Sequence, residues 1–363
     1  MNSPSSANTT QLRTPPAQSR PDASEAAAPS GALRVVAIGG GTGLSTLLRG
    51  LRKHVTSPGQ ATAPPGMIAD LAAVVTVTDD GGSSGRLRKG FNMLPPGDLR
   101  NCMVALSEEE DLLSQLFAHR FRGGDALKGH NFGNLFVAAL TEITGDFGQA
   151  IQLASKILAT KGRIYPVTTA NATLVARMED GTMVRGETNI TASSLRIAEL
   201  MLDPPGAAAL PETLDAIGRA DLITVGPGSL YTSLITNLLV EDVPEALARA
   251  RGVRVYIANL MTEANESLGL SASEHIERIY EHTGAPIFDY ALVNTAPFSA
   301  ETLARYALEG AEPILPDIER IEALGVRCIS GDFASEGNVV RHATERLTGA
   351  LLALGRTALT CGA

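Results

Sequence analysis

The apolar positions of this chain fall into two rhythms that take turns. Short β-branched runs end in polar, glycine-rich turns, and segments follow in which apolar residues recur every three or four positions. The first run, Leu33–Ile38, is short, mostly apolar and rich in β-branched residues, which predicts a strand buried on both faces. Leu44, Leu47, Leu48 and Leu51 stand at i, i+3, i+4 and i+7 and predict a helix. Leu71–Val77 predicts the second buried strand. Leu99, Cys102, Met103 and Leu106 mark the inner face of a helix that Asp98 would cap. Leu112–Phe121 predicts another, and Phe132, Leu135, Phe136, Ala139, Leu140 and Ile143 a buried one. Gly148–Leu158 continues helical. From Arg163 to Arg185 the pattern changes to short strands with Asp180-Gly181 as the hairpin turn. Residues 163–200 therefore read as a small β insertion, and Met201–Pro211 as a loop.

Asp221–Val225, Val253–Ala258, Ile287–Val293 and Val326–Ile329 predict the remaining strands. Ser271 and Glu274 form a capping box for a helix through Tyr280, and Leu347–Leu354 belongs to a closing helix. Strands alternating with helices predict an α/β fold. The expected form is a Rossmann-like, mainly parallel sheet with helices on both faces and the small β insertion. Residues 1–31, rich in Ser, Ala, Pro and Thr, read as a disordered tail without a signal-peptide core. Residues 32–330 then form the α/β domain, with a surface loop at Thr56–Gly66, and 331–363 a C-terminal helical segment.

The candidate chemistry lies where strands end. Gly39-Gly40-Gly41-Thr42-Gly43-Leu44-Ser45 joins the first strand to its helix, the geometry in which helix N–H groups point at an anion. Gly40, Gly41, Thr42, Gly43 and Ser45 are the candidate phosphate contacts. The dinucleotide fingerprint is not met, because Leu44 or Thr46 stands at the third glycine position, and the P-loop lysine is absent. Asp221–Val225 runs into Gly226-Pro227-Gly228-Ser229-Leu230-Tyr231, the same device again. Two such loops can face each other across a crevice at the switch of strand order. Gly226, Gly228, Ser229, Tyr231 and Asn259 are candidates on that side. Were residues 39–45 and 226–233 to share no cavity, this reading would collapse.

Asp79 and Asp80 follow the second strand, where an acid commonly takes ribose hydroxyls. Two adjacent carboxylates are also the candidate Mg²⁺ ligands, and Asp-Asp-Gly-Gly is also ordinary turn chemistry. Ser83 lies in the same glycine-rich loop. Arg100 sits in a helix's first turn, where a cation opposes the dipole, so an anionic ligand or a carboxylate is its expected partner. His130, Asn131 and Asn134 gather at another helix start.

The 363 residues carry a net charge of −9 and no tryptophan. That argues against nucleic acid as main partner, since neutralising phosphates needs a basic surface. No run approaches a membrane span. Cys102, Cys328 and Cys361 are too widely spaced for a metal site or a disulfide framework, which fits a reducing cytosol.

Together, Ile38–Ser45, Thr78–Gly85, Pro95–Asn101, Gly129–Asn134, Thr144–Phe147 and Gly226–Ser233 resemble the gluconeogenesis factor family (YvcK-like), related to 2-phospho-L-lactate transferase (CofD-like). The likeness covers about residues 33–330 and keeps motif order. It implies a Rossmann-like fold, a cytoplasmic bacterial protein, and association with cell shape and with growth on gluconeogenic carbon sources. It also implies binding of a UDP-sugar, UDP-N-acetylglucosamine. The related transferase uses Mg²⁺ to move a phospholactyl group onto a deazaflavin alcohol. The chain departs from the family pattern at Asn265–His275, where Leu270 replaces an aromatic able to stack on uracil. Arg305 is a candidate diphosphate contact.

The expected function is therefore a nucleotide-sugar-binding regulator without turnover. A Mg²⁺-dependent transferase of phosphorylated groups is the alternative, and bound NAD without hydride chemistry a further ligand. A homodimer and a protein partner in cell-envelope regulation complete the expectations.

Overall fold

The computed structural model describes residues 32–56, 67–108, 110–124, 126–264 and 266–361. The expected tail over 1–31, the loop residues 57–66 and Asn265 lie outside the described residues.

Seven strands build one parallel sheet: β1 (Leu33–Gly39), β2 (Ile68–Val75), β3 (Arg163–Pro166), β7 (Leu222–Val225), β8 (Val253–Ile257), β9 (Tyr290–Asn294) and β10 (Arg327–Gly331). Between β3 and β7 the chain inserts β4 (Thr173–Met178), β5 (Met183–Arg185) and β6 (Ile197–Asp203), which pair antiparallel in the order β5-β4-β6. The main sheet runs β10-β9-β8-β7-β1-β2-β3. Chain order departs in opposite directions from β1 and β7, so their carboxyl ends flank the switch point.

Both faces of the sheet are covered, which is why the middles of the strands carry apolar residues pointing to both sides. One core layer takes Leu33, Val35 and Ala37 of β1 and packs α1 (Gly41–Arg52), α3 (Gly97–Leu106), α5 (Phe132–Thr144), α6 (Phe147–Ile157) and the C-terminal α14 (Thr344–Cys361). The other takes Val36 and Ile38 and packs the inserted sheet, α8 (Pro211–Arg219), α10 (Val243–Arg249), α11 (Ala272–Thr283) and α13 (Ile318–Ala323). The smaller helices are α2 (Gly82–Phe91), α4 (Glu110–Ala118), α7 (Glu187–Ala192), α9 (Thr236–Leu238) and α12 (Ala300–Ala307). Arg34 with Asp221 and Arg254 with Asp289 form two-pronged ion pairs at the amino ends of the strands. The Ser271/Glu274 capping box starts α11.

Several expectations change. Arg163–Pro166 is not part of the insertion; it adds to β2 as the edge strand of the main sheet. Its Ile164 enters one core layer and Tyr165 the other, so two-sided burial imitated a hairpin strand. Met201–Asp203 completes β6 rather than opening a loop. The glycine-rich loop expected after Asp79 and Asp80 is already helical from Gly82, with Ser83, Ser84 and Leu87 turned inward. Asp98 does not cap α3; Pro96 holds that position and Asp98 lies one residue inside the first turn. Ile143 is 76% exposed, so α5 is buried along one stripe only. The C-terminal segment is not all helix, because β11 (Ala334–Ser335) and β12 (Arg341–His342) pair before α14.

Candidate functional site

The two glycine loops meet. Gly226 N–H donates to the Ile38 carbonyl at 3.0 Å, and Asn237 Nδ2 donates to Gly39 O at 3.0 Å. Gly43 lies against the second loop: a Cβ there would stand 2.3 Å from the Pro227 carbonyl oxygen. Between the loops opens a crevice of about 420 Å³, walled by Gly40–Gly43, Pro227–Ser229, Asn259, Glu263 and Tyr306, with residues 339–342 closing the far side. That volume falls in the range of small-molecule sites. After Ser229 the chain enters a π-helix, Leu230–Ile235, in which Leu234 N–H reaches back to Ser229 O. Such turns recur at functional sites.

Half of the expected main-chain donors are already engaged. Gly41 N–H donates to Asp98 Oδ2 at 2.8 Å, and Leu44 N–H to Gly40 O at 3.4 Å. Among the described residues the N–H groups of Thr42 and Gly43 have no partner, so the helix presents two open donors. On the second loop, Gly228 N–H donates to Asn259 Oδ1 and Tyr231 N–H to Glu266 Oε2. Carboxylates thus stand at the starts of both α1 and the π-helix, where a helix dipole favours negative charge.

These acids share a poorly solvated environment. Burial pushes the Asp98 carboxyl up to about 6, opposed by the Gly41 hydrogen bond and reinforced by Asp79. Burial also pushes Glu187, whose Oε2 accepts from Thr78 Oγ1, up to about 9, with Asp79 and Asp98 adding repulsion. Glu266 is raised to about 7 by burial and by Glu263, although Thr232 Oγ1 donates to it at 2.7 Å. Glu263 is raised by burial and accepts from Ser229 Oγ at 2.6 Å.

Asp79 and Asp80 engage different partners. Asp80 Oδ1 takes the N–H and Oγ1 of Thr188 at 2.9 and 2.6 Å, whereas Asp79 Oδ1 takes Gly81 N–H at 2.8 Å. The acids that repel one another at Asp79 are Asp98 and Glu187. Among the described residues no three His, Cys, Asp or Glu side chains group closely enough to hold a metal ion. A divalent cation here would rest on Asp79 and Asp98 and need ligand oxygens to complete its shell.

The remaining expected site residues divide. Thr42, Ser45 and Arg100 line a second cavity beside the crevice. Ser83, Asn131 and Asn134 build a polar network between α2 and α5: Asn131 N–H donates to Ser83 Oγ, and Asn131 Oδ1 caps Asn134 N–H. Asn134 Oδ1 in turn accepts from Arg100 Nη1 at 3.1 Å. Gly226 lies beneath the crevice against Ile257 O. Tyr231 turns away into the core, where its hydroxyl donates to Ile197 O. Arg305 points to the Gly337 carbonyl on α12's outer side and does not line the crevice. Leu270 packs on the core beside the inserted sheet and does not wall the crevice either.

Sequence reasoning missed Glu187, Glu263, Tyr306, Arg341 and His342. Glu263 alone carried a local signal, an acid just beyond the carboxyl end of a buried strand. The others reach the site from distant segments.

Three comparisons with known proteins show the family and the fold. The chain matches the family model described as 2-phospho-L-lactate transferase CofD over residues 35–334. It is 46% identical over 319 residues to a gluconeogenesis factor of Halalkalibacterium halodurans, covering 88% of this chain and 95% of the relative. A gluconeogenesis factor of Bacillus subtilis is 43% identical over 322 residues, with 88% and 98% covered. A crystal structure of a protein from Bacillus halodurans superposes with a TM-score of 0.83 at 45% identity, covering 88% of this chain and 99% of that one.

Proposed function

From the premise that the chain belongs to the family of CofD and the gluconeogenesis factors, we propose that it binds a nucleotide sugar of the UDP-N-acetylglucosamine type. In this reading it is a regulatory gluconeogenesis factor that supports cell shape during gluconeogenic growth. The observation that carries the ligand is the shared crevice at the strand-order switch, formed by Gly40–Gly43 and Pro227–Ser229.

The wall chemistry suits a ligand that is anionic at one point and hydroxylated around it. The open N–H groups of Thr42 and Gly43 at the start of α1 meet a diphosphate. Asn259 and the half-buried Glu263 offer acceptors for ribose or sugar hydroxyls, and a bare phosphate would leave them unmatched. Tyr306 supplies the aromatic surface that Leu270 does not. Calorimetry with UDP-N-acetylglucosamine is expected to give one saturable site. Tyr306→Ala should weaken it about tenfold or more, the loss of a base–aromatic stack of roughly 1–3 kcal/mol. Absence of heat at millimolar ligand would remove the reading.

A second reading, a Mg²⁺-dependent transfer of a phosphorylated group, draws on the mutual repulsion of Asp79, Asp98 and Glu187. A cation there would neutralise the pair Asp79 and Asp98 and supply charge stabilisation for a phosphorylated substrate. The chain's contribution is to hold those carboxylates and the two open N–H groups in one place. Mg²⁺ is then expected to raise the melting temperature of the native chain but not of Asp98→Asn. An equal response from both proteins would remove the metal from this pair.

A further inference from the structure

β12 brings His342 to the far wall of the crevice. Its Nε2 lies 3.1 Å from the Ala258 carbonyl oxygen. A carbonyl only accepts, so Nε2 carries the ring proton and this bond sets the tautomer. In the neutral ring the other nitrogen, Nδ1, is then a bare lone pair. Among the described residues Nδ1 has no hydrogen-bond partner, yet it is not one of the unpartnered side-chain atoms sealed away from solvent. It is therefore open to the outside, and the ring walls both the crevice and the cavity beside it. His275 is the contrast: its Nδ1 meets Tyr256 Oη at 2.9 Å, and its unpaired Nε2 is sealed in the core.

The His342 ring is held in place and held neutral. His342 pairs with Ala334 across the β11–β12 hairpin, and next to it Ala343 N–H donates to Phe333 O at 2.7 Å. Two residues earlier, Val340 N–H donates to Tyr306 Oη at 2.9 Å, which ties the hairpin to the aromatic wall of the crevice. Burial pushes the imidazole down to about 4, and the bond to Ala258 O opposes this only in part. At neutral pH the far wall thus presents a fixed, uncharged acceptor, while the start of α1 opposite presents the N–H donors of Thr42 and Gly43. A phosphoryl oxygen would set lone pair against lone pair at Nδ1; a hydroxyl brings the hydrogen that Nδ1 lacks. A site built to meet a hydroxyl discriminates against groups that cannot supply one, because its acceptor is then left unpaired.

We propose that His342 is a specificity-determining residue of the crevice, whose Nδ1 accepts a hydrogen bond from a hydroxyl of the ligand and turns phosphate away from that point. The inference rests on the nucleotide-sugar reading and divides its site: phosphate at the start of α1, hydroxyl at β12.

The test uses the full chain, isotope-labelled at its histidine nitrogens and titrated with UDP-N-acetylglucosamine under nuclear magnetic resonance and calorimetry. The His342 signals are those that vanish in His342→Gln. In the free chain the ring should be neutral with its proton on Nε2. At saturation the tautomer should persist while the Nδ1 signal moves as a lone pair that takes up a hydrogen bond, a change that a merely structural histidine would not show. His342→Phe should bind the nucleotide sugar about tenfold more weakly, the loss of one hydrogen bond. Should that variant fail to fold, the Nδ1 signal of the native chain decides. A proton on Nδ1 in the free chain would overturn the proposal. So would a ring that becomes a cation on binding, an Nδ1 signal unmoved at saturation, or unchanged affinity in a folded His342→Phe chain. Each of these with saturable binding by the native chain sinks the His342 assignment and leaves the nucleotide-sugar reading standing. No binding by the native chain removes both.

Discussion

Gly43→Ala is expected to abolish ligand binding at the crevice and to lower stability by about 1–3 kcal/mol, the cost of forcing a methyl group into a filled space. The new carbon would stand 2.3 Å from Pro227 O, 2.7 Å from its carbonyl carbon and 3.1 Å from Gly228 N. None of these is the end of a flexible side chain; all are backbone of the facing loop. That loop cannot retreat freely, because Gly226 N–H is tied to Ile38 O and Gly228 N–H to Asn259. Relief must come from α1 moving away, which carries off the Thr42 and Gly43 donors. Gly41→Ala is the contrasting control. Its φ of +61° makes a side chain cost roughly 1–2 kcal/mol, yet a Cβ there would meet nothing within 4 Å. Both variants should lose stability in urea denaturation, and only Gly43→Ala should lose the calorimetric signal. A Gly43→Ala chain that binds as the native one does would show that the close approach of the loops does not shape the site.

The same contrast marks what was legible in the amino-acid order. Both glycine loops could be read because each lies between a buried strand and a helix, and that local pattern is the whole signal. Their meeting across β1 and β7 followed from the doubly wound topology, which a strand–helix alternation implies. Asp98 was misread for a physical reason. Pro95-Pro96-Gly97-Asp98 has the form of a helix start, but the carboxylate serves a helix 57 positions away in sequence, at Gly41. Residues 339–342 wall the crevice at the end of a hairpin whose strands are two residues each, too short to leave a period of their own. Tyr306 faces the crevice while its neighbour Arg305 reaches away to Gly337. Side-chain direction at a helix end is decided by packing, and no spacing rule distinguishes the two. The inward turn of Glu187 depends on how the inserted sheet sits on the main one, an arrangement without a local trace.

Glu187 also sets the strongest expected pH effect. Its carboxyl is raised from 4.5 to about 9 by burial, by Asp79 and Asp98, and by Glu266. Between those values the folded chain keeps a proton that the unfolded chain releases. The unfolded state then binds fewer protons, so stability falls as pH rises through that window. Asp98, raised to about 6, and Glu266, raised to about 7, act with the same sign over narrower ranges. The native chain should therefore reach its highest urea midpoint on the acidic side and lose stability steadily towards pH 9. Glu187→Gln replaces the protonated carboxyl with a neutral group of similar shape that still accepts from Thr78. At pH 5 the two proteins should unfold at the same urea concentration. Near pH 9 the variant should be more stable by about 2 kcal/mol, a modest share of the 1.36 kcal/mol per unit that a full shift would give. Parallel pH profiles for the two proteins would place the sensitivity in Asp98 and Glu266 instead, and the cluster would then be centred on the glycine loops rather than on the inserted sheet.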